Sequence, residues 1–177
     1  MDPLFPELDP NQLAAGRDLS IGEVQLDDGS TAFREVVRHS GSVAVVPVID
    51  DKVILLRQFR IAIGREILEL PAGRLEANEL PEACARRELE EETGYRAGRI
   101  VPATSYYSSV GFTDERIHVF FAFELRMVGG RLDPDERVEL TELSLDEIEA
   151  RLARREFEDS KTIIGLRDLL SSGASGG

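Results

Sequence analysis

Six glutamates fall within fourteen residues between two glycines, Gly73 and Gly94: Glu79, Glu82, Glu88, Glu90, Glu91 and Glu92. Carboxylates at this density can stay wet on a solvated acidic helix, or they can converge on a divalent cation. A helical wheel of about 100° per residue sorts them. With Glu88 at the origin, Glu92 falls at about 40° and Glu91 at about −60°, so these three share a face. Glu82, Arg86 and Glu90 lie opposite, at the spacing of ordinary surface pairs. Arg87, near −100°, is the arginine of the segment that approaches the acidic face, beside Glu91. Carboxylates so spaced repel by roughly a few tenths of a kcal/mol per pair in water, and a divalent ion would neutralise them. The glycine ahead of the helix, Gly73, permits close approach, so Ala72-Gly73 could bring a backbone carbonyl to the same ion. Cys84, near −40° between Ala83 and Ala85, reads as a packed thiol.

Composition narrows the ion. One cysteine and two histidines exclude multi-cysteine zinc patterns, an intrachain disulfide and a histidine-rich centre. What is left is a hard cation held by oxygen, magnesium or manganese. The net charge of −13 repels nucleic-acid backbones and anionic membrane surfaces. A small anionic substrate would need cations to bridge it. No apolar run approaches the ~18 residues of a membrane span. Met1-Asp2-Pro3 opens without the basic region of a signal peptide, so a cytoplasmic location is expected.

The elements that must position these residues are legible as pattern. The 177 residues suit one domain. Residues 1–18, with three prolines, read as an irregular arm. Leu19 to Leu26, the turn signal Asp27-Asp28-Gly29 and Thr31 to Val37 predict a hairpin. Ser42–Ile49 is an apolar run that reads as a buried strand, although Pro47 counts against a fully central position. Strands follow at Lys52–Arg60 and Glu66–Leu70. Pro81 fits a first helical position and Gly94 the residue past a helix end, so the acidic helix spans Pro81 to Thr93. Strands are expected at Ile100–Tyr107, Ile117–Leu125 and Val138–Leu143. Ser144 to Glu147 is a capping box opening a helix to about Arg154. Asp159 or Ser160 caps a last helix with a buried stripe of Ile163, Ile164, Leu166, Leu169 and Leu170. Residues 171–177 read as a flexible tail. The sum is an α+β layer fold, a sheet with a central helix and a C-terminal helical pair, in one domain over 19–170.

Gly73, five residues, Glu79, seven residues, then Arg87-Glu88-Leu89-Glu90-Glu91-Glu92-Thr93-Gly94-Tyr95 resembles the Nudix box, the signature of the Nudix hydrolases. The likeness continues through Arg57-Gln58-Phe59-Arg60, Leu68-Glu69-Leu70-Pro71-Ala72-Gly73, Gly111-Phe-Thr-Asp-Glu115 and Asp159-Ser-Lys-Thr-Ile163, which look like the ADP-ribose pyrophosphatase branch. The resemblance implies an α/β/α sandwich on a mixed sheet, and a homodimer that exchanges N-terminal strands, here the hairpin at 19–37. It implies magnesium-dependent cleavage of ADP-ribose, or a related nucleoside diphosphate sugar, to AMP and ribose 5-phosphate. The alternatives are the same chemistry on another nucleotide, or a ligand sensor without turnover; the retained box glutamates speak against the sensor. By the same resemblance Glu88, Glu91, Glu92 and the Ala72 carbonyl are the metal ligands. Arg87 orients the glutamates and Glu79 anchors the loop, with surface salt bridges as the plainer role for both.

The resemblance further implies a general base on a late acidic loop, here Asp133-Pro-Asp-Glu136, where Glu136 is the choice against Asp133, Asp135 and Glu139 and a solvated turn is the plainer reading. Glu115 is a second candidate base or a further ligand, so the catalytic set is Glu136, Glu92 and Glu115. Arg57, Arg60, Glu69 and Gly111 are the candidates for substrate binding. His39 and His118 read as structural. Val110 stands where ADP-ribose-specific members carry a proline, which leaves the sugar specificity open.

Overall fold

The computed structural model describes residues 19–129 and 138–173. Two strands, β1 (Leu19–Gln25) and β2 (Thr31–Val37), form a separate antiparallel hairpin around the Asp27-Asp28-Gly29 turn. The main sheet contains β3 (Ser42–Ile49), β4 (Lys52–Arg60), β5 (Arg65–Glu69), β6 (Ala72–Arg74), β7 (Tyr95–Tyr107), β8 (Arg116–Met127) and β9 (Val138–Ser144). Its path runs β5-β4-β3-β8-β7, with β6 also on β3 and β9 also on β4. The β3–β8 pairing is parallel and the others antiparallel, so the sheet is mixed.

Among the described residues three helices cover it: α1 (Pro81–Thr93), α2 (Leu145–Ala153) and α3 (Ser160–Ser172). Alternation along β3 explains the layering. Val43 and Val45 pack with Cys84, Ala85 and Leu89 of α1 on one face. Ala44, Val46 and Val48 pack with Ile148, Leu152, Leu166 and Leu169 of α2 and α3 on the other. The arrangement is the expected α/β/α sandwich. The acidic helix has its expected bounds, and Gly94 caps it at φ 74°. Ser144 and Glu147 form the reciprocal capping box.

Four expectations need correction. The strand with Pro47 is central after all, lying between β8 and the β4 and β6 side. Pro47 pairs with Ala122 of β8, while β6 engages only Ser42–Ala44 and β4 only Val48 and Ile49. Its missing donor therefore falls where, among the described residues, β3 has no second neighbour. The strand expected from Ile100 begins at Tyr95, because Tyr95, Arg96 and Ala97 pair with Met127, Arg126 and Leu125 although their side chains carry no apolar run. The short strand β6 was not expected, since three residues ending Gly-Arg have no strand pattern. Ser171 and Ser172, expected in the tail, instead complete α3 before Gly173 caps it. The arm at 1–18 and the loop holding Glu136 lie outside the described residues.

One irregularity shapes the site. β3 and β4 pair only at their turn, Val48 with Val53 and Ile49 with Lys52. Beyond it they part, β3 toward β6 and β4 toward β5. The chain crosses between them at Leu70-Pro71, where Val45 N–H donates to the Pro71 carbonyl at 2.8 Å.

Candidate active site

The crossover segment is held from both sides. Ala72 N–H donates to Glu92 Oε2 of α1 at 2.8 Å, and Leu70 N–H donates to Thr162 Oγ1 of α3 at 2.9 Å. Gly73 faces Glu88, whose carboxyl occupies the space that a Cβ at 73 would fill. Only glycine lets the loop and this carboxylate approach so closely. Glu92 is buried, Glu88 nearly so, and Glu91 is half-buried.

Arg87 organises the acidic face. Its Nη1 donates to Glu88 Oε1 at 2.7 Å and to Glu91 Oε2 at 2.9 Å. Its Nε and Nη2 grip the two oxygens of Glu79, each at 3.0 Å, and Nη2 also reaches the Arg74 carbonyl at 3.2 Å. This guanidinium, together with the Glu76 N–H, pulls the Glu79 carboxyl down to about 2. The anchoring role expected for Glu79 and the orienting role expected for Arg87 thus share one set of bonds. Cys84 is fully buried behind them, and burial pushes its thiol up to about 12. On the opposite face Glu82 pairs with Arg86, as the wheel predicts. Glu90 departs from the wheel: it pairs with Arg96 of β7, because the sheet brings that arginine within 2.8 Å.

Among the described residues, no three His, Cys, Asp or Glu side chains already stand together as an ion cage. Glu88 and Glu91 turn to Arg87 and Glu92 to the Ala72 amide. The donor set nonetheless fits a hard divalent cation. Hard carboxylate oxygens lie on one helix face, the loop carrying the Ala72 carbonyl is tied to one of them, and Gly73 keeps room beside another. Arg87 alone offsets only part of the charge of four carboxylates.

A groove of about 310 Å³ opens where β3 and β4 part, lined by Ala72 and Gly73 and by Ser42, Arg60, Glu115 and Lys161 among others. Arg60 is thus one predicted residue the structure brings to the site. Glu115 is another, its Oε1 accepting from Ser42 Oγ at 2.9 Å. Glu69 lies beneath the groove, 1% exposed, and grips Arg60 and Lys161. Arg57 does not line it: three positions from Arg60 in the same strand, it falls on the other face. Gly111 sits in the turn after Ser109, outside the lining, although Ser108 and Glu115 on either side belong to it. His39 lies beside Glu115 and accepts from Gly41 N–H through Nδ1 at 3.1 Å, a structural contact. Lys161, Asp159 and Arg74 were not singled out as site residues, though Asp159-Ser-Lys-Thr-Ile163 carried part of the resemblance. The signal was in that segment, and its distance along the chain from the box hid its meaning.

A NUDIX domain model matches residues 38–164. The chain is 44% identical over 163 residues to the ADP-ribose pyrophosphatase of Bacillus subtilis (strain 168), covering 89% of this chain and 88% of that protein. It is 40% identical over 176 residues to the methanol dehydrogenase activator of Bacillus methanolicus, covering 96% and 95%. A solved structure described as an ADP compounds hydrolase superposes with a TM-score of 0.80 at 20% identity, over 90% of this chain and 89% of that one, and speaks to fold alone. The chain therefore belongs to the Nudix family, as a Nudix pyrophosphatase.

Proposed function

We propose that the protein hydrolyses the pyrophosphate bond of ADP-ribose or a related nucleoside diphosphate sugar, giving AMP and ribose 5-phosphate from ADP-ribose. The observation that carries this reading is the groove itself. Its lining includes Ala72 and Gly73, which touch Glu92 and Glu88 of α1, together with the cations Arg60 and Lys161. A diphosphate needs both, since its negative charge must be matched while one P–O bond is broken. Similarity to the Bacillus subtilis ADP-ribose pyrophosphatase over most of both chains supports the substrate class.

Glu88, Glu91, Glu92 and the Ala72 carbonyl would hold the metal, magnesium with manganese as a substitute. When bound, it supplies Lewis-acid polarisation of the phosphoryl oxygens and makes water more acidic. The residues do the rest. Arg87 fixes the box carboxylates, and Arg60 and Lys161 bind the diphosphate. A water oxygen bonds to one phosphorus while the bridging P–O bond breaks, and the water proton passes to a carboxylate. We assign that base to Glu136 on its place in the sequence, with Glu115 on the groove wall as the alternative. Val110, 82% exposed, lies where a proline would be expected for strict ADP-ribose specificity, so related diphosphate sugars are the second reading. A cytoplasmic setting accords with the single free cysteine, Cys84.

The test is a panel of nucleoside diphosphate sugars assayed with magnesium, with Glu92→Gln as control. ADP-ribose is expected to be cleaved fastest, and E92Q to lose at least about 100-fold in kcat, the scale of removing one charge-stabilising group. Equal turnover by the two proteins would remove Glu92 from the metal site. Faster turnover of another sugar would overturn the ADP-ribose preference.

A further inference from the structure

Glu69 is buried beneath the groove and bonded to two cations of its lining. Its Oε1 accepts from Arg60 Nε at 2.7 Å and its Oε2 from Arg60 Nη2 at 2.8 Å. The same Oε2 accepts from Lys161 Nζ at 2.6 Å. Lys161 is held on a second side by Asp159 Oδ2 at 3.1 Å, and Asp159 is itself fixed as the N-cap of α3 through Thr162. At 1% exposure Glu69 does not touch a groove occupant. Buried ion pairs rarely outperform apolar packing in stability, so a triad on one carboxylate asks for another explanation.

We infer that Glu69 is a positioning residue for substrate binding. It fixes Arg60 of β4 and Lys161 of α3 at a set separation, so that both meet the diphosphate in place. Side-on engagement uses two of the five N–H groups of Arg60, and Glu69 and Asp159 use two of the three on Lys161. The unused donors belong to side chains that line the groove. Long flexible cations bind an anion weakly when they must first be ordered, and Glu69 orders them in advance. The inference rests on the diphosphate reading of the groove, and it assigns the substrate contacts to the cations and their spacing to the carboxylate beneath.

The experiment pairs steady-state kinetics on ADP-ribose with calorimetric titration of inorganic pyrophosphate, for wild type, Glu69→Gln, Lys161→Met and the double variant. E69Q should raise KM about tenfold with kcat within about twofold, the mark of lost binding that is equal in ground and transition states. Pyrophosphate affinity should fall by a similar factor. The double variant should raise KM by clearly less than the product of the two single effects, because Glu69 acts in part through Lys161; a full product overturns that coupling. A folded E69Q with unchanged KM and pyrophosphate affinity overturns the inference, as does a loss of kcat that merely follows a loss of Tm. If E69Q does not fold, Glu69→Asp, which keeps the charge one methylene further back, takes its place under the same criteria. If wild type cleaves no diphosphate sugar yet binds pyrophosphate in a Glu69-dependent way, the substrate reading falls and the positioning role stands.

Discussion

Arg87 carries more of the acidic face than its place on a helical wheel reveals. It bonds Glu79 with two nitrogens and Glu88 and Glu91 with the third. Glu79 is the most informative partner, because it belongs to the loop and not to the helix. Its carboxyl is depressed from 4.5 to about 2 by Arg87 first and the Glu76 amide second. The unfolded chain therefore takes up the proton first as pH falls. The stabilisation is complete above 4.5 and disappears as pH drops through about 2. Glu79→Gln should cost about 1–3 kcal/mol at neutral pH, the range for a partly buried charge-assisted hydrogen bond. In chemical denaturation the gap between wild type and E79Q should close across that acidic window. A gap independent of pH would show that the ion pair does not anchor the loop.

At the scale of elements, the site exists because α1 and α3 both grip one crossover segment. Thr162, fully buried, accepts the Leu70 N–H at 2.9 Å and donates to Asp159 Oδ2 at 2.6 Å. Thr162→Val keeps the shape and removes both bonds, leaving a buried N–H unsatisfied. The expected cost is about 1–3 kcal/mol, read as a lowered Tm, with Thr162→Ser restoring most of it. KM should rise in the valine variant as well, because Asp159, which steadies Lys161, loses the Thr162 hydroxyl and keeps only the backbone N–H of its cap. A valine variant as stable as wild type would mean α3 docks by packing alone. Helix bounds and caps could be read from the chain because Pro81, Gly94, Ser144 and Asp159 act on neighbouring backbone. Strand β6 and the start of β7 could not, since their pairing is with distant β3 and β8.

At the scale of the whole molecule, the β1–β2 hairpin is incompletely covered by the other described residues. The β1–β2 hairpin is tied to the body at its end, where Val37 N–H donates to the Phe112 carbonyl at 2.7 Å and Arg38 pairs with Asp114 at 2.9 Å. Phe33 in β2 is 70% exposed. An isolated two-stranded hairpin is marginal in water, so we expect a second copy to cover it and the protein to be a homodimer. Light scattering should give twice the mass of the chain for wild type and a shift toward monomer for Phe33→Glu. A monomeric wild type would rule out this use of the hairpin. None of the three described helices is long and apolar enough to cross a membrane.

By itself the sequence determined that Glu88, Glu91 and Glu92 share one face, that Gly73 permits a close approach, the bounds of α1 and the layered fold. These follow from spacing along the chain, where helical periodicity and caps act within a few residues. Arg60 and Glu115 were also legible, as parts of longer motifs. Tertiary structure alone decided that Glu69 lies under the groove, that Arg57 faces away from it and that Lys161 joins it from the far end of the chain. Glu69 and Lys161 are 92 residues apart and meet at 2.6 Å. Their encounter depends on β3 and β4 parting below their turn and on α3 docking by Thr162, and no local pattern encodes a contact made by two separate packing events.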